Sequence, residues 1–332
     1  MGTVSPSSAG PWWREVTRYQ WFVLAVASAG WVFDVFEGQI FGACMNEALP
    51  DLLRSAGLEG WRELFANVGL AAFMAGGALG GVVFGMLADR WGRRRSMAVT
   101  ILMYSAFTGL TALAQNWWQL AALRFLVGMG VGGEWAVAAA VVAEVFPARA
   151  RPAASGTFHA SSVLGTYLAV AAGVLVVGVT AHGWRYGFLL GIAPALLILG
   201  VRVVLREPES WQAARKAAAE GSGRRLGRFT DLFAAHDLRL HTLLATGLAF
   251  IGLATFWTTH FRGKDLVRDA RAEQLRAAGV QPGPGELKNW EMLGMFLTTT
   301  GGGAGLLAFA PLAQRFGRRP AFLLFHLGAL AL

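Results

Sequence analysis

The chain has 332 residues, of which 55% are apolar or aromatic and only 15% charged, with a formal net charge of +9. A soluble domain carries roughly a quarter charged residues, so this composition cannot solvate a globular surface. The apolar residues fall in blocks of about 20, the length that carries a helix across roughly 30 Å of hydrocarbon, and an all-α membrane protein follows. The basic excess does not make a nucleic-acid surface, because the arginines sit in short turns between apolar blocks rather than along one helix face.

Met1–Gln20 is polar, holds Trp12 and Trp13, and has no cleavable signal pattern. Spans are predicted near residues 20–43, 64–88, 96–115, 118–143, 155–180, 184–205, 240–261 and 291–313, with a ninth starting near 320. Three parts result: a six-helix N-terminal bundle over 1–206, a polar linker over 207–239, and a partial second bundle over 240–332. Within the linker a short helix is expected at Trp211–Glu220, followed by Gly221-Ser222-Gly223 and the basic run Arg224, Arg225 and Arg228.

Turn 89–95 carries Arg90, Arg93, Arg94 and Arg95, turn 144–151 carries Arg149 and Arg151, and turn 314–320 carries Arg315, Arg318 and Arg319. By span parity these turns share a side with the linker and the N-terminus, which should be cytoplasmic. Loop 262–288 lies opposite yet holds six Lys/Arg, balanced by Asp265, Asp269, Glu273 and Glu286. A separate charged helix over 264–278 is expected there. Cys44 has no second cysteine to pair with and reads as packing.

An internal repeat organises the chain. Leu87-Ala88-Asp89-Arg90-Trp91-Gly92-Arg93-Arg94-Arg95 follows the second span, and Leu312-Ala313-Gln314-Arg315-Phe316-Gly317-Arg318-Arg319-Pro320 follows the eighth, 225 residues further on. Two six-helix halves in parallel repeat are implied. On that offset Leu332 matches Phe107, in the middle of the third span, so about 8.5 of 12 helices are expected in this chain, which would then be an inactive fragment.

These residues resemble the major facilitator superfamily. Its signature after the second span, G-x-x-x-D-R-x-G-R-R, is matched by Gly85, Asp89, Arg90, Gly92, Arg93 and Arg94. Arg124 followed by Gly128, Gly130, Gly132, Gly133 and Glu134 looks like the family's motif in the fourth span, and Glu144-x-x-Pro147-x-x-x-Arg151 is similar to the sugar-porter turn. Pro208-Glu209-Ser210 resembles the start of that group's motif after the sixth span, with Trp211 where a second proline belongs. Asp34-x-x-Glu37 looks like the acid-symporter pattern in the first span, with Val35 and Glu37 as departures. The resemblance implies alternating access by a monomer in the cell's inner or plasma membrane, with proton symport of a sugar or an organic or aromatic acid. An uncoupled facilitator, a drug antiporter and a non-transporting receptor are the alternatives. The fifth span has no proline, which argues against the drug antiporter.

Ionisable groups inside the bilayer are costly and usually functional. At a rise of about 1.5 Å per residue, Asp34 and Arg124 fall at similar depth, with Glu37 on the face of Asp34 and about 4–5 Å further out. Arg124 is therefore expected as a shared counter-ion for Asp34 and Glu37, one of which carries the coupled proton, while the guanidinium responds or binds a substrate carboxylate. Glu134, deeper on the fourth span, is either a second proton site or a packing carboxylate. Ser155, His159, Ser162 and Thr166 form one polar stripe expected to line the cavity, or to hydrogen-bond between helices, and Trp257 is expected to stack on substrate. Gly92 permits a tight turn, and Asp89 is expected to meet a helix N-terminus or an arginine such as Arg149. Glu144 is expected to pair with one of Arg90, Arg93 or Arg94. Together with Gly85, Arg149, Arg151, Arg315, Gly317 and Arg318 these make a cytoplasmic gate. Gly77, Gly81 and Gly85 form a stripe expected to admit a close neighbour. No nucleotide loop, metal-ligand cluster, catalytic constellation or cofactor motif is present. The expected partners are a small-molecule substrate, protons and lipid.

Overall fold

The computed structural model describes residues 11–54, 56–180, 182–196, 205–221, 226–283 and 285–331. Helices account for most of them: α1 (Arg18–Arg54), α2 (Arg62–Trp91), α3 (Arg93–Thr111), α4 (Trp117–Val145), α5 (Arg151–Ala160), α6 (Ser162–Ala172), α7 (Gly183–Leu190), α8 (Glu209–Ala219), α9 (Asp231–Ala234), α10 (His236–Ala277), α11 (Glu286–Phe316) and α12 (Arg318–Ala331). Six of these helical stretches are long and apolar enough to cross a bilayer by length and composition. Among the described residues the chain is thus all-helical, and it is multi-pass, as the apolar blocks require.

Two helices run well beyond their expected ends. α1 has 37 residues, about 55 Å of helix, and continues 11 residues past position 43. α10 has 42 residues and absorbs both the expected seventh span and the helix expected separately over 264–278. Hydropathy marks where the bilayer ends, whereas a helix ends only where backbone bonding is interrupted. Gly263 by itself does not interrupt it. The fifth span, by contrast, is broken at Ser161, whose hydroxyl donates to Phe158 O at 2.6 Å and to Ser28 O at 3.3 Å. Such back-bonding from a serine competes with the helical ladder and bends it. A π-helical turn at Gly173–Val177 then closes this span. In the sixth span α7 stops at Leu190, and residues 197–204 lie outside the described residues, as do Ser222, Gly223, Arg224 and Arg225 of the linker.

The repeat is visible in the backbone. Gly92 joins α2 to α3 at φ 103°, ψ 157°, and Gly317 joins α11 to α12 at φ 89°, ψ 157°. This region of backbone space is essentially confined to glycine. The same residue at the same place in both copies makes the same turn.

α2 and α4 approach closely, through glycines offset by one from the expected stripe. A Cβ on Gly76 or Gly80 would lie 2.0 Å from Phe125 O or Met129 O, and one on Gly128 or Gly132 would lie 2.0 or 2.1 Å from Phe73 O or Gly77 O. A Cβ on Gly81 would make an ordinary 3.5 Å contact with Gly132 O, and one on Gly85 would meet nothing within 4 Å. Two buried apolar clusters hold the N-terminal helices, one around Ile40, Phe41, Trp184 and Phe188, the other around Ile101, Tyr104, Val141 and Phe158. Leu243, Leu248, Phe250 and Ile251 on α10 are exposed, as lipid-facing side chains should be.

α10 lies beside α1 in a regular register. Gly38 would clash with the Trp257 ring and Gly42 with the Phe261 ring if either carried a Cβ, at 2.8 and 3.0 Å. One turn on, Asn46 Nδ2 donates to Asp265 Oδ1 at 3.4 Å. Each contact advances four residues on both helices, so the two run parallel, as a parallel repeat demands. Earlier on α10 they part: Gly247 and Gly252 have no neighbour within 4 Å.

Candidate functional site

Four ionisable side chains are buried among α1, α3, α4 and α7: Asp34 at 1% exposure, and Glu37, Arg124 and Glu134 at 0%. The spacing of Asp34 and Glu37 puts both on the inner face of α1, and Asn116 caps the start of α4 by accepting from Gln119 N at 3.2 Å. Arg124 and Glu134 sit further along that helix.

The expected shared ion pair does not form. Arg124 Nη1 donates to the backbone carbonyl of Glu37 at 3.3 Å, and Nη2 donates to Thr108 Oγ1 and Thr111 Oγ1, each at 3.3 Å. Its guanidinium lies over the rings of Phe41 and Phe188 at 5.6 and 5.1 Å. Glu37 stays within electrostatic range of Arg124, but its carboxylate is tucked against Gly191, where a Cβ would come within 2.7 Å of Oε1. Asp34 turns instead to Glu134 and Tyr104. Glu134 also presses on Gly30 of α1, 2.5 Å from where a Cβ would stand. Glu134 thus shares the level of Asp34 and Gly30 rather than lying below it.

None of the carboxylate oxygens of Asp34, Glu37 and Glu134 has a hydrogen-bond partner among the described residues. A buried carboxylate without hydrogen bonds or a paired charge is strongly disfavoured. The residues that complete the site, Tyr104, Thr108 and Thr111, were missed by sequence reasoning. Thr100, Tyr104, Thr108 and Thr111 recur at helical spacing on α3 and are all buried, and that polar periodicity was the available signal.

The polar stripe is divided by the break at Ser161, with Ser155 and His159 on α5 and Ser162 and Thr166 on α6. His159 Nδ1 bonds Ser155 O at 2.8 Å, and its ring packs edge-on to Trp31, Trp135 and Phe158. Trp257 is half-buried against Gly38 and meets Phe73 edge-on at 5.9 Å.

At the arginine-turn end, Arg93 is the hub. Nη1 donates to Asp89 Oδ1 at 2.7 Å, and Nη2 donates to Glu144 Oε1 at 2.7 Å. Burial opposes the Arg93 charge, but Glu144 and Asp89 more than offset it and hold the guanidinium above its ordinary value. The helix N-terminus is met by a residue not foreseen. Glu207 accepts from the backbone N–H groups of Arg93 at 2.7 Å and Arg94 at 3.2 Å, the first residues of α3. This satisfies two orphan donors and places a negative charge at the positive end of the helix dipole. The arginine that Asp89 meets is Arg93 and not Arg149, which pairs with Glu15. Arg90 donates to Gly227 O at 3.1 Å, and Trp211 Nε1 to Asp89 O at 2.8 Å, so the linker is strapped onto the turn. Arg151 donates to Phe146 O at 3.3 Å, Arg315 stacks on Phe316 at 5.3 Å, and Arg318 lies near Leu248 and Phe322. Replacing Gly92 with Ala would put a methyl 2.3 Å from Glu207 Oε1 and force a glycine-only conformation on alanine. A loss of about 1–3 kcal/mol is expected, read as a lower thermal midpoint in detergent, with no rescue by Asn.

The comparisons with known proteins agree with this architecture. Residues 21–332 match the family model of the Major Facilitator Superfamily. A protein of Haemophilus influenzae described as a putative metabolite transport protein is 31% identical over 95% of this chain and 73% of its own length. A probable 4-methylmuconolactone transporter of Cupriavidus pinatubonensis is 30% identical over 96% of this chain and 68% of its own. Among solved structures, a D-xylose-proton symporter superposes with a TM-score of 0.66 at 16% identity, covering 91% of this chain and 71% of that one. An all-helical, multi-pass bundle with a repeated signature turn is the framework of a membrane transporter. This chain belongs to the major facilitator superfamily.

Proposed function

We propose that the protein is a secondary transporter that moves a small polar metabolite, an organic or aromatic acid or a sugar, by proton symport with alternating access between its halves. The observation that carries this reading is the group of three buried carboxyls, Asp34, Glu37 and Glu134, whose oxygens lack hydrogen-bond partners among the described residues. Such groups are tolerated in a membrane interior when they exchange protons or line a substrate path. Asp34 and Glu134 face each other and share the coupled proton. Arg124, held near Glu37, responds to the charge of that pair or takes a substrate carboxylate. The Arg93, Asp89, Glu144 and Glu207 network is the cytoplasmic gate, and the arginine turns place that end in the cytoplasm with the N-terminus.

The test is uptake into proteoliposomes against a panel of organic acids and sugars, with and without an inward proton gradient. Asp34→Asn is expected to abolish gradient-driven accumulation while leaving exchange of preloaded substrate intact. Unchanged uphill uptake in that variant overturns the proton assignment, and a parent protein that only equilibrates substrate is an uncoupled facilitator.

A further inference from the structure

A second cluster of buried charges lies at the end opposite the arginine turns, and the transport reading does not use it. Lys264 of α10 pairs with Glu291 of α11 at 2.8 Å, and Lys288 pairs with the other oxygen of Glu291 at 2.9 Å. These three side chains are 1%, 0% and 3% exposed for Lys264, Glu291 and Lys288. Lys264 also reaches Asp265 at 2.8 Å. All of these contacts stay within α10 and α11.

Two further contacts of Lys288 cross to α1. Its ammonium pairs with Glu47 at 2.8 Å and donates to the carbonyl of Ala43. The lysine stem passes over Gly178, at the end of the π-helical turn, where a Cβ would stand 3.0 Å from Lys288 Cγ. Gly285, at φ 74°, brings the start of α11 against the carbonyl of that same glycine. Directly beside the cluster, Trp257 and Phe261 fill the notches at Gly38 and Gly42, and Asn46 reaches Asp265.

We infer that Lys288 is the latch of the outer gate, closing it through Glu47 and the Ala43 carbonyl while Glu291 and Lys264 hold it in place. The inference rests on the alternating-access reading, since the latch joins the two parts that this reading moves apart. Without Glu47, Lys288 keeps as its carboxylate partner only Glu291, which it shares with Lys264, and a buried charge that loses a partner is costly. Contact between α1 and α11 is therefore favoured as long as the site is dry. When the helices separate, Glu47 and Lys288 are each hydrated, so the same pair is tolerated in the open form. A desolvated pair that either closes fully or opens to water is a two-state element rather than a graded one.

The test uses the whole protein with Cys44→Ser, which removes its sole cysteine, and Leu49→Cys as reporter. Leu49 is 1% exposed and lines the cleft between α1, α2 and α10. In right-side-out cells a membrane-impermeant maleimide reports opening of that end, with no substrate or proton gradient needed. Glu47→Gln and Lys288→Met are each expected to raise the labelling rate on the order of tenfold. Glu47→Asp, which keeps the charge, should stay near the parent rate, whereas a merely structural pair would lower the melting midpoint without changing accessibility. Parent-like labelling in a Glu47→Gln protein that is monodisperse in detergent overturns the latch. Should Glu47→Gln fail to fold, Lys288→Met removes the same pair from the other side, and labelling of that variant no faster than the parent's overturns the latch equally. A protein that labels as expected yet accumulates no substrate keeps the latch and loses the transport reading.

Discussion

Replacing Arg124 with Met is expected to cost on the order of 3 kcal/mol of stability and to lower uptake by about a hundredfold or more. The side chain is wholly buried and its guanidinium serves three acceptors, Glu37 O, Thr108 Oγ1 and Thr111 Oγ1, between two aromatic faces. Methionine fills the volume but leaves the two threonine oxygens without that donor and removes the positive charge beside Glu37. Lysine is also expected to fail, because a single ammonium cannot span the fork between the α1 carbonyl and the α3 hydroxyls. A double variant, Arg124→Met with Glu37→Gln, should regain much of the stability and none of the uptake, since it removes the orphaned carboxylate without restoring the site. Thermal unfolding in detergent and uptake in proteoliposomes check the two halves of this expectation. An Arg124→Met protein as stable as the parent would mean that Glu37 does not depend on the guanidinium.

The second large effect is expected at the α2–α4 contact. Gly80→Ala or Gly132→Ala inserts a methyl about 2 Å from a carbonyl oxygen of the facing helix, at 2.0 Å from Met129 O and 2.1 Å from Gly77 O. A backbone atom cannot rotate away, so the helices must separate. Overpacking of this kind costs at least 1–3 kcal/mol, and the double variant is expected to yield no monodisperse protein. Gly85→Ala is the contrast. Nothing lies within 4 Å of it, and alanine in a helix is favoured over glycine by about 0.5–1 kcal/mol, so that variant should be neutral or slightly more stable. Equal behaviour of Gly80→Ala and Gly85→Ala, measured as detergent melting midpoints, would remove the close-packing account.

These two sites differ in how readable they were. That glycines would bring α2 close to a neighbour could be inferred from four-residue spacing, but Gly76–Gly80 and Gly77–Gly81 have the same spacing. Only the rotation of α2 against α4 selects the first pair as the contact. The buried charges show the same limit. That Asp34, Glu37, Arg124 and Glu134 lie inside the membrane followed from their positions within apolar blocks. Their pairing depended on how α1, α3 and α4 slide and rotate against one another. Glu207 and Lys288 carried no local signal at all, because their partners, Arg93 and Glu47, are 114 and 241 residues away in the chain.

The amino-acid sequence alone determined the membrane class, the repeat and its two glycine turns, and the arginine-marked end. Each of these depends on local composition or on a backbone conformation open to one residue type. Tertiary structure decided which buried carboxyl faces which, the engagement of Arg124 with hydroxyls and a carbonyl, and the lysine network across α1, α10 and α11. Those outcomes depend on how helices rotate and slide against one another, and that is set by the packing of whole surfaces rather than by any short stretch of chain.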